Sequence, residues 1–597
     1  MKVSQEGTTD SYRAAMHELT ASLQKEHSML LKALFPQIKG KKVVIAAAGK
    51  SGIFFQPIKE TIYIGINSAY RLKNIPFDFI FIQDNINLIV QDLLNNNRQC
   101  NIVCGQHVSY PNIRIEATFP NNLRYYVASV LSGSKQKFTS DIQTSPISDF
   151  TSTIFSALQI ILACQPAAIY LVGCDCSGVG NVGGFSIRTT YNRLIPCWRK
   201  FADFVRENYP SVQISSIHPI GLRGLFKNIY QNDKVEEFLS LMRADKAANL
   251  RDFVKNFLED KNCPPAWTEP FCETLFRLGY EEEAIHGASE LLRRYPSYLE
   301  GYRLLLNLAT KNATLYDGIL AEARRALEAA PDAHELRATL AVSLLKRGCD
   351  QEAQELVIQD NSAAFKTCWM TQLIAAGGFF SEKGNYTKAL RCYREILSQD
   401  SSDRLIRTWS HAICIRLGNY REAHTLIHEG LALDADWANG YALLASTYEK
   451  EGERKKARAA WHKAMEKAPL ALMYRARLAR FFRSQHNFDA THALLDEALS
   501  ISPDWLDGHY QKALTYEAAG DLPKALNSAW QAVELLPPEL TFERPVREYL
   551  ASLLIRSGRP AAARTMIQQT LEITPEWGGG WMLLAKLAEN EIEQRSR

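Results

Sequence analysis

Short apolar runs alternate with segments of helical periodicity between residues 41 and 225. An apolar run of four to eight residues between turn residues is typical of a buried strand. Strands interleaved with helices indicate an α/β domain with a mostly parallel sheet. The predicted strands are Val43–Ala47, Thr61–Ile66, Phe79–Gln83, Asn101–Cys104, Arg124–Val127, Ala168–Val172 and Val212–Ser215, and the predicted helices are Ile86–Asn95, Ser152–Ala163 and Arg193–Glu207.

From about residue 266 the strand pattern ends and an internal repeat appears. Its turns recur every 34 residues, beginning at Gly384, Gly418, Gly452, His486 and Gly520. Small residues follow five positions later, where two helices approach closely: Ala389, Ala423, Ala457 and Ala525. This period is the signature of tetratricopeptide repeats, whose helix pairs stack into a superhelix with a concave face.

The two patterns divide the chain into four parts. Residues 1–40 are a helical lead-in, and 41–230 form the α/β domain. Residues 231–265 are charged and helical in pattern, which indicates a connector that ends at Pro264-Pro265. Residues 266–597 form the all-α repeat domain.

Composition narrows the classes of protein and partner. A net charge of +4 over 597 residues is too small for the basic surface of a nucleic-acid binder, and it leaves peripheral membrane association open. The 12 cysteines form no CxxC pair, which argues against a zinc site and for reduced thiols. The most apolar window, Ile154–Cys174, contains Gln159, Gln165 and Pro166, so we interpret it as a helix, a turn and a strand. We expect a cytoplasmic protein, with association at the inner face of the membrane left open.

The carboxyl ends of the predicted strands carry small and polar residues. They are the turn Gly49–Gly52, Asn67, Asp84, Gly105 and Asp175. Ligands of open parallel sheets bind beyond these strand ends. We therefore expect these residues to line one crevice.

The turn Gly49-Lys50-Ser51-Gly52 is not a P-loop. That motif needs a glycine five residues before its second glycine, and Val44 stands there. GxGxxG is also absent. A turn of small residues lets backbone N–H groups approach a phosphate, and an ordinary tight turn is the alternative.

Asp175 and His218 are the catalytic candidates. Asp175 ends a buried strand beside a glycine, and a helix cap or an ion pair is its alternative role. His218 lies beyond the last predicted strand, where it could act as a general base or be a structural histidine; His107 is a second such candidate. No HExxH or isolated DxD occurs in the α/β part, so we predict no metal site.

Four further polar residues are candidates for ligand binding. The Asn67 amide offers a donor and an acceptor to a base or ribose, or serves the turn alone. Asp84 suits a sugar hydroxyl or a metal, or caps the next helix. Arg188 and Tyr191, after a glycine-rich loop at 177–184, suit a phosphate or carboxylate, or form solvated surface.

The order of five segments in the α/β part resembles a known enzyme family. They are AAAGKSG, IGINSAYR, IPFDFIFIQD, TSTIFSALQIILA and AIYLVGCDCS, closed by ISSIHPIGLRGLF. Residues of about 40–230 thereby resemble the metal-independent, GT-A-like bacterial sialyltransferases and the motility accessory factor glycosyltransferases. The resemblance implies a Rossmann-like (GT-A-like) domain and a CMP-activated acidic sugar as donor, such as sialic acid or Kdo, with no cofactor.

The resemblance also implies roles for single residues. It places Gly49, Lys50 and Ser51 near the nucleotide phosphate, Asn67 on the cytidine or phosphate side, Ser152 or Thr153 at the base, and Asp175 in the donor–acceptor crevice. Two positions depart from the family. Lys50 replaces its proline, and no histidine follows shortly after Asp175, where the sialyltransferases carry their proposed base.

Three functions are compatible with these patterns. The first is a glycosyltransferase that adds an acidic sugar to a bacterial surface glycan, with the repeats binding the acceptor or a partner protein. The second is an interaction protein whose α/β part is a degenerate nucleotide fold. The third is a magnesium- and ATP-dependent enzyme of the pyrophosphokinase type.

Overall fold

The fold was analysed in a computed structural model of the 597-residue chain. It describes residues 21, 24–83, 89–90, 93, 100–107, 125–131, 137–145, 147–150, 152–176, 194–243, 247–259, 264–277, 279–308, 313–469, 471–540 and 545–596. No helix within these ranges has both the length and the apolar character needed to cross a membrane.

A parallel sheet forms the core of the first part of the chain. In the described residues it has nine strands in the order β6-β5-β4-β3-β2-β1-β7-β8-β9. Every neighbouring pair is parallel. The strands are β1 (Lys42–Ala46), β2 (Thr61–Ile66), β3 (Phe79–Ile82), β4 (Asn101–His107), β5 (Tyr125–Leu131), β6 (Ile147–Ser148), β7 (Ala168–Val172), β8 (Gln213–Ile217) and β9 (Lys227–Ile229).

The strand order reverses beside β1. The chain builds outward from β1 to β6 and then returns to place β7 on the other side of β1, followed by β8 and β9. The loops after β1 and β7 therefore leave the sheet next to each other. This is the place where open parallel sheets form a ligand crevice.

The described helices of the α/β part cover the sheet with apolar side chains. They are α1 (residues 24–38), α2 (Thr153–Ala163) and α3 (Ile195–Asn208). All residues of α2 from Thr153 to Leu162 are buried, which fits its nearly continuous apolar sequence. The predicted helix Ile86–Asn95 falls largely outside the described residues, where only 89, 90 and 93 are helical.

Helices alone follow β9 in the described residues. They are α4 (Asp233–Arg243), α5 (Ala247–Glu259), α6 (Pro265–Arg277), α7 (Glu281–Arg294), α8 (Leu299–Leu308), α9 (Ala313–Ala329), α10 (His334–Arg347), α11 (Asp350–Ile358), α12 (Ala363–Glu382), α13 (Tyr386–Gln399), α14 (Arg404–Arg416), α15 (Tyr420–Leu433), α16 (Ala438–Glu451), α17 (Arg454–Lys467), α18 (Met473–Ser484), α19 (Phe488–Ile501), α20 (Leu506–Ala518), α21 (Leu522–Leu535), α22 (Val546–Arg556), α23 (Pro560–Ile573) and α24 (Gly578–Ser596).

The predicted repeats are confirmed as stacked helix pairs. Each predicted turn has a residue in the left-handed region, with φ between +55° at His486 and +85° at Gly520. Such a residue ends a helix and lets the next one fold back. The predicted small residues are completely buried between the paired helices: Ala389, Ala423, Ala457 and Ala525. The predicted helical connector contains α4 and α5, which share one hydrophobic core with α6 to α10.

Both ends of the helical array contact the α/β domain. Near its start, Phe54 packs against Phe271 with ring centroids 5.6 Å apart. Near its end, Arg199 of α3 pairs with Glu576 at 2.6 Å. Apolar residues of the sheet domain and of α20 to α24 also belong to one buried cluster. The repeats therefore form a closed arrangement with the sheet domain rather than a free arm.

Candidate functional site

The loop after β1 is held by the residue that follows β7. The Ser51 backbone N–H donates to Asp175 Oδ2 at 3.1 Å, and the Ser51 hydroxyl donates to Asp175 Oδ1. Both side chains are buried. The loop itself is a short 3₁₀ helix, Lys50–Phe54. Asp175 thus fixes this turn at the point where the strand order reverses.

Gly49 is required at the start of this turn because space is short. Its N–H donates to the Gly173 carbonyl at 2.9 Å. A Cβ added to Gly49 would lie 2.2 Å from the Gly173 oxygen and 2.5 Å from Asp175 Oδ2. Any larger residue would separate the two loops.

The backbone N–H groups of the turn are mostly used inside the protein. Gly49 donates to Gly173, Ser51 donates to Asp175, and Gly52 donates to the Gly49 carbonyl at 3.0 Å. In this conformation these three N–H groups are engaged in hydrogen bonds that support the turn.

Asn67 joins the ends of two strands to the start of α2. Its Nδ2 donates to Thr153 Oγ1 at 3.1 Å, and its Oδ1 accepts from the Gln83 backbone N–H at 3.0 Å. Asn67 follows β2 with φ of +48°, a conformation that asparagine tolerates better than most residues. The structure therefore brings together two predicted site residues, Asn67 and Thr153.

Gln83 and Asp149 extend this network, and sequence reasoning missed both. Gln83 Nε2 donates to Asp149 Oδ2 at 2.9 Å, and Ser156 Oγ lies 3.4 Å from Gln83 Oε1. All three residues are buried. A polar residue at the end of the apolar run 79–82 was the available signal for Gln83. Asp149 gave no such signal in the sequence, because the strand before it, β6, has only two residues.

His218 is buried in an aromatic environment. It is 1% exposed, and its ring centroid lies 6.5 Å from that of Phe54 and 6.2 Å from that of Tyr230. Neither ring nitrogen makes a hydrogen bond of good geometry to the described residues, although the Phe54 carbonyl and Gln231 lie near the ring. Burial lowers the pKa of His218 to about 4, and these two neighbours oppose the shift. His218 is therefore neutral at pH 7 and closed to solvent.

Other predicted residues are described in part or not at all. Asp84 and Tyr191 lie outside the described residues, and only the backbone of Lys50 and His107 is described. Ser152 is the N-cap residue of α2 and is half-buried, and its hydroxyl makes no capping hydrogen bond.

The described site consists of polar side chains and a buried thiol. No group of three or more His, Cys, Asp or Glu side chains in the described ranges is arranged to hold a metal ion. Cys176 follows Asp175, and burial raises its pKa to about 12, so its thiol stays protonated at neutral pH.

Comparison with known proteins shows similarity to helical-repeat structures. No protein family and no curated protein matches the chain. Among solved structures, yeast Tom70 is 13% identical, with 60% of this chain and 95% of Tom70 covered and a TM-score of 0.33. MamA is 21% identical over 28% of this chain and 90% of its own, with a TM-score of 0.23. PilW, a type IV pilus biogenesis factor, is 17% identical over 36% of this chain and 98% of PilW, with a TM-score of 0.26. The assignment of repeats in this chain rests on its own helix pairs.

Proposed function

We propose that the α/β domain is a GT-A-like sugar-nucleotide domain, and that the protein transfers an acidic sugar from a CMP-activated donor to a bacterial surface glycan. One observation carries the proposal. The Gly49–Gly52 turn is anchored by Asp175 where the strand order reverses beside β1, the position at which parallel α/β sheets bind nucleotides. The order of sequence motifs that resembles CMP-sugar transferases supports the same donor.

The described contacts assign different tasks to the predicted residues. Asp175 acts as a positioning residue, because its carboxylate accepts hydrogen bonds from Ser51. Lys50 supplies the cation for the leaving phosphate. Asn67 and Thr153 shape the nucleoside side, where Thr153 begins α2. A partner protein or the acceptor glycan binds the repeats.

Transfer requires that a base accept the proton of the attacking acceptor hydroxyl while CMP leaves the anomeric carbon through its phosphate oxygen. His218 does not suit this step in the described conformation, because its ring is buried. This observation favours a second candidate, a non-catalytic interaction protein that keeps the nucleotide fold and acts through its repeats.

A donor-consumption assay separates the two candidates. Purified full-length protein is incubated with CMP-sialic acid or CMP-Kdo, with and without surface glycan from a bacterial envelope, and CMP release is measured. The transferase predicts CMP release that depends on the glycan and persists in EDTA. Binding of CMP without any CMP release supports the interaction protein. An enzymatic activity that requires ATP and magnesium would support the pyrophosphokinase alternative and contradict the proposal.

A further inference from the structure

Helix α24, the last described helix, has the register of the first helix of a repeat. Trp581 Nε1 donates to the carbonyl of Pro575, six residues earlier, at 2.9 Å. In α18 an arginine makes the same contact, since Arg475 Nη1 donates to the carbonyl of Pro469, also six residues earlier, at 3.1 Å. Trp581 of α24 therefore corresponds to Arg475 of α18, and the residues that follow them correspond in the same way.

In the earlier repeats, the second helix of each pair covers one face of the first helix. Ala479 of α18 lies on this face, and its carbonyl is 3.5 Å from Thr491 Oγ1 of α19. The equivalent residue of α12 is Gly377, where an added Cβ would lie 2.3 Å from the ring of Tyr393 in α13. The alanines at this position are completely buried in four successive first helices: Ala445, Ala479, Ala513 and Ala551.

The same face of α24 is open. Ala585 stands at the position of the four buried alanines, and it is exposed. Trp581 is 55% exposed, whereas the corresponding Arg475 is 1% exposed. Met582 is 66% exposed, and Ala588, about one turn beyond Ala585, is exposed as well. Contiguous exposed apolar side chains of this kind are typical of an interaction site.

The opposite face of α24 packs on the protein itself. Leu587 is 2% exposed, and Leu583 and Leu584 pack against the same buried cluster. The helices that α24 contacts there are α22 and α23. A surface helix usually has one apolar face and one polar face. Helix α24 has two apolar faces, and its own chain covers one of them in the described structure.

The repeats show which kind of element covers such a face. It is an antiparallel helix that brings a small residue to the contact, and these residues are completely buried in α13, α15, α17 and α21: Ala389, Ala423, Ala457 and Ala525. Small side chains on both helices let the two axes approach closely. The open face of α24 is therefore shaped for a helix with an exposed alanine beside bulky apolar side chains.

Helix α24 itself has the pattern that its open face requires. Trp581, Ala585 and Ala588 recur at intervals of four and three residues, the spacing of helices that pair along an apolar seam. In the described part of the chain, the corresponding alanines of the other repeats are already buried by their own partners. The helix that remains available to cover α24 is thus the α24 of another molecule.

We propose that α24 pairs with α24 of a second copy of this chain in an antiparallel, two-fold symmetric contact. Ala585 of one copy lies against Ala588 of the other, so that the two helices approach closely. Trp581 and Met582 of each copy pack along the second helix and lose their exposure to water. A two-fold axis lets one patch serve both copies, and it reproduces the antiparallel direction of the helix pairs within a repeat. The proposal is independent of the sugar-nucleotide function.

Sedimentation velocity of the full-length protein tests this pairing. The parent should change from monomer to dimer between about 1 µM and about 200 µM, as expected for a Kd in the micromolar range. Ala585→Glu places a charge at the centre of the contact and should weaken self-association at least about tenfold. Met582→Glu should have the same effect. Both residues are exposed in the single chain, so both variants should fold as the parent does.

Ala459→Glu is the matched control. It is the same substitution at an exposed alanine of α17, a helix outside the proposed contact, and it should leave the dimer unchanged. Circular dichroism and thermal unfolding at about 1 µM, where the parent is monomeric, should be alike for the parent and all three variants. These measurements separate lost pairing from lost folding.

Three results would overturn the proposal. A parent that stays monomeric at about 200 µM would show that no second copy covers α24, and would leave this face to a helix of another protein. A dimer that persists unchanged in Ala585→Glu and Met582→Glu would place the contact elsewhere on the protein. A dimer that Ala459→Glu weakens as much as Ala585→Glu does would show that α24 has no particular part in it.

Discussion

The backbone N–H of Ser51 donates a hydrogen bond to Oδ2 of Asp175 at 3.1 Å, across 124 residues of sequence. This bond joins the loops that follow β1 and β7, beside the reversal of strand order. A carboxylate that was a catalytic candidate from its sequence position is therefore also a support for the turn. Substitution of Asp175 should therefore change both the stability of the protein and its binding of a ligand.

Asp175→Ala should lower the free energy of unfolding by about 1–3 kcal/mol, because buried donors of Ser51 lose their acceptor. Ser51→Ala should cost less, since the backbone N–H still bonds to Asp175. Urea unfolding monitored by circular dichroism gives both values. An Asp175→Ala variant as stable as the parent would show that the carboxylate does not hold the turn.

Gly49→Ala should destabilise the protein by more than about 1 kcal/mol, because its Cβ would lie 2.2 Å from the Gly173 carbonyl oxygen. Gly318→Ala is the matched control, since nothing lies within 4 Å of the corresponding Cβ on α9. That control should stabilise the helix by up to about 1 kcal/mol. Thermal unfolding of both variants checks the difference. Equal effects at both glycines would contradict the close approach.

Phe54→Ala should loosen the contact between the sheet domain and the helical array. Phe54 is 2% exposed and packs against Trp267 with ring centroids 5.4 Å apart. Truncation of a buried phenylalanine typically costs about 3–5 kcal/mol. Calorimetry should resolve two unfolding transitions for the Phe54→Ala variant and a single transition for the parent. Phe365→Ala, within α12, should destabilise the repeats without releasing the sheet domain.

The stability of the repeats should fall at acid pH through His411. Burial lowers its folded-state pKa from 6.5 to about 4, and its Nε2 lies 2.8 Å from Thr447 Oγ1. Between these pH values the unfolded chain binds the proton and the folded chain does not, so stability decreases as pH falls from about 6.5 to about 4. The loss approaches about 3 kcal/mol for this group. Urea unfolding at several pH values should give a shallower slope for His411→Gln than for the parent.

Much of the fold was predictable because its signals are local. The strands Thr61–Ile66 and Ala168–Val172 match their apolar runs, and the repeats follow from their period. The strands β6 and β9 were missed because the first has 2 residues and the second, KNI, has no apolar run.

From the sequence, the site was predictable only as a set of small and polar residues at the ends of strands. That Asn67 would bond Thr153 depends on how α2 lies across β2, which no local pattern shows. The burial of His218 depends on Phe54 and Tyr230, whose rings lie against it and which come from distant or later parts of the sequence. The catalytic roles of Asp175 and His218 stay predictions, as do those of Asp84 and Tyr191.

Isothermal titration of the full-length protein with CMP in EDTA tests whether a nucleotide binds beside β1 and β7. We expect saturable, metal-independent binding that weakens at least about tenfold in Lys50→Ala and in Thr153→Val, whose loss of a hydroxyl removes the partner of Asn67 Nδ2. Asp203→Ala, on the exposed side of α3, should bind as the parent does. Absence of binding by CMP, or binding that neither Lys50→Ala nor Thr153→Val changes, would contradict a nucleotide site beside β1 and β7.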